Sequence, residues 1–425
     1  MGGIRDGSRG AARGRPGTPA GRAAPRTERP EHLRLTFPRL VVSAGDPSGD
    51  RLGAALLTAL RARGVPVEAA GLGGPALRAA GMDVIAPMES VAVMGFAEVI
   101  RHLPAIHRAR TELLRRIHRD RGALFLPIDS PGLNLGLARA AHRAGRRVVY
   151  YVLPQVWAWG RGRVRRIRED VDLTLLLFRF EEAFAAREGI AAAWVGHPAG
   201  ALAPDAAARE RARAGLGLAH GEPLIALLPG SRAGEVRRHL APMLDAAARL
   251  VSGTGGTARV AVSDSGPVLA ESEWGEAAAL WNTLRPRRLP GPAEPLLRAA
   301  DVALVASGTA TLEAAAIGAP LVIVYRTGRL NYEIARRLVR VPRVGLANIV
   351  LGEDADAVPE CIQEGATGAA IARAAAPLLS NPARREAQRA AFAKLPELLG
   401  GPGSAERAAD ALIEFADRSG GRAAG

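Results

Sequence analysis

Short apolar runs recur along the chain, and most of them end in small or polar residues that precede a helical pattern. In the first half they lie at 40–44, 67–72, 124–128, 148–153, 173–177 and 193–195, and in the second half at 223–228, 259–263, 301–305 and 321–324. Strands buried on both faces of a parallel sheet have this uniformly apolar character. The alternation of strands and helices therefore predicts an α/β protein with two Rossmann-like domains.

The segment between the two series is rich in Ala, Pro and Glu and indicates a domain junction. Residues 1–38 are rich in Gly, Ala, Pro and Arg, without apolar periodicity, and lack the apolar core of a secretory signal. The predicted organisation is a disordered basic tail (1–38), a first domain (39–200), a linker (201–222), a second domain (223–368), and C-terminal helices with a tail (369–425).

Residues 124–159 hold the most informative part of the pattern. One apolar run ends at Ile128 and is followed by Asp129, and the next leads through Pro154 to Trp157 and Trp159. Because the carboxyl ends of parallel strands meet at one edge of a sheet, these side chains are predicted to line a cleft. The alternative is that Asp129 caps the next helix and that the tryptophans pack in the core.

Three turns between a strand and a helix contain the small residues that bring a helix N-terminus close to a ligand, often an anion. The first is GDPSGD at 45–50, and the others contain Ser231 with Arg232 and the run 307–309. Backbone N–H groups, a helix dipole and a guanidinium can together hold a phosphate. Glu313, one turn into the last of these helices, is suited to accept hydrogen bonds from ribose hydroxyls.

Residues 94–117 combine a helical stripe of apolar residues with interspersed arginines, and Pro104 is predicted to interrupt the helix. An apolar stripe beside arginines suits docking at an anionic bilayer or contact with an acyl chain. An ordinary amphipathic helix that faces the core is the commoner explanation of such a pattern.

The charge balance limits the classes of binding partner that the sequence predicts. The formal net charge is +15, and arginine supplies nearly all of the positive charge because Lys394 is the only lysine. This favours anionic lipid or phosphorylated substrates. Nucleic acid is disfavoured because aromatic residues make up only 4% and no basic–aromatic motif occurs. The single cysteine and the scattered histidines predict neither disulfides nor a metal site, and no apolar run approaches the roughly 20 residues that span a bilayer.

Several motifs resemble those of the lipid-A-disaccharide synthase family, which consists of inverting glycosyltransferases of the GT-B type. The matching stretches are GDPSGD (45–50), GLGGPALRAAG (71–81), VAVMGFAEV (91–99), IDSPGLN (128–134), YVLPQVWAW (151–159), VGHP (195–198), LLPGSRAGEV (227–236), ASGTATLEAAAIGAP (306–320), VYR (324–326) and LANIVLG (346–352). They are collinear over nearly the whole chain, and VMGFAEV and PQVWAW are the most specific. The resemblance implies two Rossmann-like domains with parallel sheets that face a central cleft.

The resemblance also implies a reaction. UDP-2,3-diacylglucosamine would condense with 2,3-diacylglucosamine 1-phosphate, without a metal or cofactor, to give a β-1,6-linked disaccharide and UDP. Asp129 would be the base for the acceptor 6-hydroxyl, with Asp46 as a second catalytic carboxylate, and Arg232 would stabilise the leaving diphosphate. The implied substrate-binding residues are Ser231, Ser307, Gly308, Thr309, Glu313, Arg326 and Asn348, together with Met94, Phe96 and Trp157 in the acceptor half.

Three departures from the family pattern keep alternatives open. Asp46 stands where the family usually has Glu, Gly132 stands in the place of an Asp, and Ala347 in the place of a Pro. The alternatives are a catalytically silent paralogue that binds UDP-sugar or lipid, and another GT-B enzyme of UDP-sugars, such as a transferase or an epimerase.

The same resemblance implies a location and partners. It implies a cytoplasmic protein that lies peripherally on the inner face of the bacterial inner membrane and contacts the anionic membrane surface. A homodimer is among the assemblies that it allows. With the family context, the membrane-facing interpretation of residues 94–117 becomes the favoured one.

Overall fold

The computed structural model of the chain describes residues 37–91, 96–158, 160–264, 274–328, 332–333, 343–352 and 357–420, with the side chains of 96–103 and 419–420 left out. The predicted basic tail lies outside these residues except for positions 37 and 38. Residues Phe37–Gly425 form one compact unit that contains both sheets.

The first sheet has seven parallel strands in the order β3-β2-β1-β4-β5-β6-β7. The strands are β1 (Leu40–Ala44), β2 (Ala69–Gly73), β3 (Asp83–Pro87), β4 (Leu124–Ile128), β5 (Val149–Tyr151), β6 (Leu173–Leu176) and β7 (Ala192–Trp194). Both faces of this sheet are buried, since Leu40 and Val42 pack into one apolar cluster and Val41 into another. This explains why its central strands are almost entirely apolar.

The second sheet has six parallel strands in the order β10-β9-β8-β11-β12-β13. The strands are β8 (Leu224–Leu228), β9 (Arg259–Asp264), β10 (Arg287–Pro290), β11 (Val302–Ala306), β12 (Leu321–Tyr325) and β13 (Glu360–Ile362). In each sheet the strand order reverses beside the first strand of the series, which is where ligands bind in open α/β sheets.

The helices that cover and connect the sheets are α1 (Pro47–Ala62), α2 (Pro75–Ala79), α3 (Phe96–Arg119), α4 (Pro131–Arg143), α5 (Val164–Asp170), α6 (Phe180–Glu188), α7 (Ala206–Gly215), α8 (Ala233–Gly253), α9 (Ala277–Leu284), α10 (Glu294–Ala299), α11 (Thr309–Ile317), α12 (Leu346–Leu351), α13 (Gly368–Ser380), α14 (Pro382–Phe392), α15 (Leu395–Leu398) and α16 (Ser404–Gly420). None of the helices in the described part of the chain has the length and apolar content to cross a membrane.

The last helix returns to the first half of the chain. Arg63, at the end of α1, forms an ion pair with Asp410 of α16, and the Arg407 guanidinium donates to the carbonyl of Val195 at 2.8 Å. The backbone N–H of His197 donates to the Leu399 carbonyl at 2.9 Å. The predicted segment 369–425 therefore includes a helix that packs against the first sheet's layer.

Helix α3 runs through Pro104 without a break, contrary to the interruption expected from the sequence. In its described half, Ala109, Leu113 and Ile117 are buried against the first sheet, whereas Arg108 and Arg115 are exposed. This half of the helix is therefore an ordinary amphipathic helix that faces the core.

The carboxylate of Asp50, in the GDPSGD turn, has a structural role. It is buried and accepts hydrogen bonds from the backbone N–H groups of Gly74, Ala76 and Leu77 at 2.7, 2.8 and 3.1 Å. These donors belong to the turn before α2 and the first turn of that short helix, so Asp50 joins α1 to the β2–α2 connection.

The substitution Asp50→Asn is expected to lower the free energy of unfolding by about 2 kcal/mol. The amide retains one acceptor oxygen, so at least one buried N–H loses its charged acceptor and faces an NH₂ group instead. Urea denaturation followed by circular dichroism measures the change. The exposed Asp83→Asn at the start of β3 is the control, and equal stability of the two variants would contradict this role.

Candidate functional site

The carboxyl end of β4 has an unusual backbone. Asp129 and Ser130 have φ angles of 44° and 47°, and Val152, just beyond the neighbouring strand β5, has a φ of 78°. Non-glycine residues in the left-handed region are uncommon, and each costs about 1–3 kcal/mol. The N-cap of α4 is Ser130, so Asp129 does not cap this helix as the alternative interpretation supposed. Such strain clusters at functional sites, which makes this edge the first candidate.

Two side chains hold the backbone of Asp129 in place. The Tyr150 hydroxyl donates to the Asp129 carbonyl at 2.8 Å, and the Asn134 side-chain amide donates to the same oxygen at 2.8 Å. Asn134 also donates to the carbonyls of Ser43 and Ile128 and accepts from the Ser43 hydroxyl. The sequence did not indicate this role of Tyr150. The residue lies in an apolar run, and that pattern does not show that its hydroxyl reaches the residue after a neighbouring strand.

Burial and neighbouring charges shift the pKa of the Asp129 side chain. Burial, and then the negative charge of Asp46, raise its pKa to about 6, while the Ser130 N–H and the positive charge of Arg232 act in the opposite direction. A carboxylate with a pKa near 6 is mostly ionised at neutral pH, yet it is a stronger base than an ordinary one. Arg232 follows β8 of the second sheet, at the N-terminus of α8, so a charge from the second half of the chain acts on Asp129.

Replacing Tyr150 by Phe is expected to lower kcat about tenfold and to leave the KM values unchanged. The substitution removes one of two donors to the Asp129 carbonyl and loosens the strained turn, at a cost of about 1 kcal/mol in stability. Steady-state kinetics and thermal unfolding provide the readouts. Tyr151→Phe, on the opposite face of β5, is the matched control, and similar kcat values for the two variants would argue against positioning by Tyr150.

Asp46 serves as the N-cap of α1. Its Oδ1 accepts from the backbone N–H groups of Ser48 and Gly49 at 2.9 and 3.0 Å, and its Oδ2 accepts from the Ser130 hydroxyl at 3.2 Å. The structure thus ties Asp46 to the turn that carries Asp129. Its effect on Asp129 is electrostatic, and its predicted catalytic role stays a prediction.

The loop after β8 presents Ser231 and Arg232 at the N-terminus of α8. Glu235 organises this loop, since it accepts from the Ser231 N–H at 3.0 Å and from the Arg232 guanidinium at 3.1 Å. The Arg232 side chain remains 41% exposed, which leaves several of its N–H donors available. An exposed guanidinium at a helix N-terminus is suited to hold a diphosphate.

His239 connects two loops at the edge of the second sheet. Its Nδ1 lies 2.8 Å from the Pro229 carbonyl, after β8, and its Nε2 accepts from the Arg326 N–H at 2.9 Å, after β12. The ring is buried, which lowers its pKa, and an acceptor Nε2 requires the neutral tautomer. His239 therefore fixes the backbone beside Arg232 and at Arg326, whose side chain is exposed. His239 lies within a helix that the sequence predicts, but no sequence motif indicated a role for it.

The turn after β11 carries the other predicted phosphate contacts. The Ser307 hydroxyl donates to the Val344 carbonyl at 3.0 Å, Gly308 is the N-cap of α11, and Thr309 is exposed at its first position. Glu313 is half-buried, and burial raises its pKa, whereas the positive charge of Arg51 from α1 lowers it. These residues present a helix N-terminus and a carboxylate at the same edge of the second sheet.

Asn348 lies deeper than the other predicted nucleotide contacts. It is buried, and its amide donates to the Val358 carbonyl at 2.9 Å and to Glu360 at 2.7 Å. Glu360 also accepts from the N–H groups of Val344 and Gly345. Within the described residues, the Asn348 Oδ1 has no hydrogen-bond partner. Asn348 thus supports the loop that contacts Ser307.

The structure describes only some of the residues that are predicted to bind the acceptor. Trp157 is half-buried, and its indole N–H donates to Glu181 at 3.0 Å. Met94 lies outside the described residues, as does the side chain of Phe96 at the start of α3. Among the described residues, no group of three or more His, Cys, Asp or Glu side chains is arranged to hold a metal ion.

Comparison with known proteins identifies a family. The family model of lipid-A-disaccharide synthetase matches residues 40–413. A lipid-A-disaccharide synthase from Acidobacterium capsulatum is 40% identical over 379 residues, which cover 86% of this chain and 93% of that protein. One from Alkalilimnicola ehrlichii is 42% identical over 370 residues, which cover 84% and 93%.

Solved structures are similar in fold. A UDP-GlcNAc 2-epimerase from Neisseria meningitidis, bound to UDP-GlcNAc, has a TM-score of 0.60 at 11% identity over 88% of this chain and 99% of that one. The calicheamicin glycosyltransferase CalG4 has a TM-score of 0.52 at 18% identity over 89% and 99%. The predicted fold class, two parallel-sheet α/β domains of GT-B type, is confirmed.

Proposed function

The chain belongs to the lipid-A-disaccharide synthetase family, and from this premise we propose that it joins UDP-2,3-diacylglucosamine to 2,3-diacylglucosamine 1-phosphate. The products are the β-1,6-linked disaccharide 1-phosphate and UDP. The observation that carries the proposal is Asp129, a carboxylate on a strained turn whose pKa is raised to about 6 mainly by burial, while the positive charge of Arg232 at the N-terminus of α8 lowers it.

In the proposed reaction Asp129 accepts the proton of the acceptor 6-hydroxyl. The oxygen forms a bond to C1 of the donor sugar on the face opposite UDP, and the bond between C1 and the diphosphate breaks with its electron pair on UDP. Inversion at C1 gives the β-linkage. The proton stays on Asp129 until it is released to solvent, so atoms and charges balance.

The leaving diphosphate gains negative charge as the bond breaks. The Arg232 guanidinium and the N-termini of α8 and α11 provide positive potential for it, with Ser231 and Thr309 at those termini. Glu313, one turn into α11, is proposed to accept hydrogen bonds from the ribose hydroxyls. Asn348 and Ser307 are proposed to support the nucleotide side through the loop at 343–345.

A membrane-surface position is proposed as well. It is supported by the net charge of +15 and by the exposed arginines of the described half of α3, such as Arg108 and Arg115. Sedimentation with vesicles that contain phosphatidylglycerol is expected to pull down the protein at low salt and not at high salt. Equal binding to purely zwitterionic vesicles would contradict a role of these charges.

The substitution Gly132→Asp tests whether the missing family carboxylate limits this chain. Position 132 is in the first turn of α4, and an added Cβ would meet no atom within 4 Å. We expect the free energy of unfolding to rise by about 1 kcal/mol. Glycine has a low helix propensity, and a carboxylate in the first turn interacts favourably with the positive end of the helix dipole. The kcat is expected to change less than about threefold, and a tenfold rise would show that the absence of this carboxylate limits catalysis.

A mass-spectrometric assay with both diacylated glucosamine substrates tests the proposed function. The wild type is expected to form the disaccharide 1-phosphate and UDP in equal amounts. No product together with intact UDP binding would favour a silent paralogue. Conversion of the UDP-sugar at C2 without an acceptor would favour an epimerase.

A further inference from the structure

Phe180 is the one large hydrophobic side chain that is clearly exposed among the described residues, at 39%. It lies at the first residue of α6, just past the carboxyl end of β6. Its ring packs edge-on against Trp157, with 5.0 Å between centroids, and parallel to Phe178 at 5.5 Å. The His197 ring stacks on Phe178, also at 5.5 Å. The carboxyl ends of β5, β6 and β7 are thus followed by one continuous aromatic group.

A buried carboxylate fixes the orientation of these rings. Glu181 is only 2% exposed, and it accepts from the Trp157 indole N–H at 3.0 Å and from the Phe178 backbone N–H at 3.1 Å. Burial raises the pKa of Glu181 to about 7. A carboxylate in apolar surroundings is costly unless it is hydrogen-bonded. Here it holds Trp157 against Phe180, whose ring remains partly exposed.

The exposed ring follows a strand that lies two positions from the strand carrying the proposed base. Neighbouring strands are about 4.8 Å apart, so β6 lies roughly 10 Å from β4, across β5. The rings and Asp129 share the carboxyl edge of the first sheet. A sugar ring with its 6-hydroxyl at Asp129 does not span this distance, so the group that reaches Phe180 is a substituent of the acceptor.

We propose that Phe180 and Trp157 form a wall along which one acyl chain of the acceptor lies, and that Glu181 positions this wall. An exposed aromatic ring at the sheet edge that carries the proposed base is suited to alkyl groups, since the contact removes apolar area of both partners from water. The inference rests on the proposed function for the identity of the acceptor. It makes Phe180 a determinant of acyl-chain selectivity.

Calorimetric titration with a series of acceptors tests the wall without any need for turnover. The ligands are dihexanoyl-, dioctanoyl- and didecanoyl-glucosamine 1-phosphate, each titrated into wild type, Phe180→Ala and Phe180→Leu. Wild-type affinity is expected to rise about 2–4-fold per methylene that contacts the wall. Phe180→Ala is expected to lower didecanoyl affinity about tenfold and dihexanoyl affinity about twofold, whereas Phe180→Leu keeps most of the chain-length dependence.

The matched control is Phe415→Ala on α16. Phe415 contacts Arg147, which precedes β5 at the opposite edge of the same sheet, so this variant is expected to bind all three ligands like wild type. A loss of affinity by the same factor at every chain length, which Leu does not rescue, would mean that Phe180 stacks on the sugar and would overturn the proposal. Unchanged affinity in Phe180→Ala would also overturn it.

Measurements of binding and of product formation distinguish the proposed wall from the proposed reaction. If the wild type binds the acceptors with the expected chain-length dependence, Phe180→Ala loses that dependence, and no disaccharide forms, the wall stands and the proposed reaction fails. If disaccharide forms but the dependence is the same in wild type and Phe180→Ala, the reaction stands and the wall fails.

Discussion

The substitution Asp129→Asn is expected to lower kcat by about 10²–10⁴-fold while the affinity for UDP stays within about twofold of wild type. The amide is nearly the same size, so the strained turn and its bonds from Tyr150 and Asn134 remain, but it accepts no proton from the acceptor hydroxyl. Initial rates of UDP release, together with calorimetric UDP binding, measure the two quantities. Asp83→Asn, exposed at the start of β3, is the control. Product formation that persists undiminished would leave the family assignment intact and remove Asp129 as the base.

The pH dependence of kcat/KM is a second test of Asp129 as the base. Because the Asp129 pKa lies at about 6, kcat/KM of the wild type is expected to fall tenfold per pH unit on acidification below that value. The residual activity of Asp129→Asn is expected to lack this limb.

Asp129 also links pH to stability. Its folded-state pKa of about 6 exceeds the value of about 4 for an unfolded chain. Between these values the folded state binds more protons, so the stability of the wild type falls as the pH rises through this window. Asp129→Asn is therefore expected to be more stable than wild type above pH 6, by about 1–3 kcal/mol, and equally stable below pH 4. A variant that is less stable at neutral pH would contradict the sign.

The second large effect is expected for Arg232→Ala, with a loss of about 10²–10³-fold in kcat. Charge develops on the leaving diphosphate during the reaction, and a positioned guanidinium stabilises it more in the transition state than in the bound substrate. Arg232→Lys is expected to recover only part of the loss, because an ammonium lacks the planar fork. Rates measured at saturating UDP-sugar test this.

The pH profile of kcat/KM is a second measurement of the effect of Arg232, and a matched control variant is available. Since its charge lowers the Asp129 pKa, its removal is expected to move the acid limb of kcat/KM to higher pH. Arg249→Ala, which removes an exposed arginine near the other end of α8, is expected to change neither kcat nor the pH profile. An Arg232→Ala variant with wild-type kcat and a raised KM alone would assign Arg232 to ground-state binding.

The central strands could be predicted from sequence, as could the edge strand β7, but the other three edge strands could not. β1, β4, β8 and β11 are buried on both faces and stood out as uniform runs. β3 (Asp83–Pro87), β10 (Arg287–Pro290) and β13 (Glu360–Ile362) were missed. They lie at the sheet margins, are short and keep exposed or half-buried positions. Their hydrogen bonds to an inner strand, rather than their own pattern, make them strands.

Pro104 shows the same limit for a helix. The sequence predicted a break at this residue, but α3 continues through it. Burial of the stripe formed by Ala109, Leu113 and Ile117 stabilises the helix on its C-terminal side, and this tertiary packing outweighs the local penalty of a proline.

The sequence carried local information and matched motifs: apolar runs that end at Asp129, at the Ser231–Arg232 pair and at the 307–309 turn, and the family to which they belong. The groups that act on these residues became visible in the folded chain. The Tyr150 hydroxyl on the Asp129 carbonyl, His239 between two strand ends and Glu181 beneath Trp157 all join residues that are distant or unremarkable in sequence. Hydrogen bonds and charge interactions depend on distances between side chains, and packing of the two sheets sets those distances.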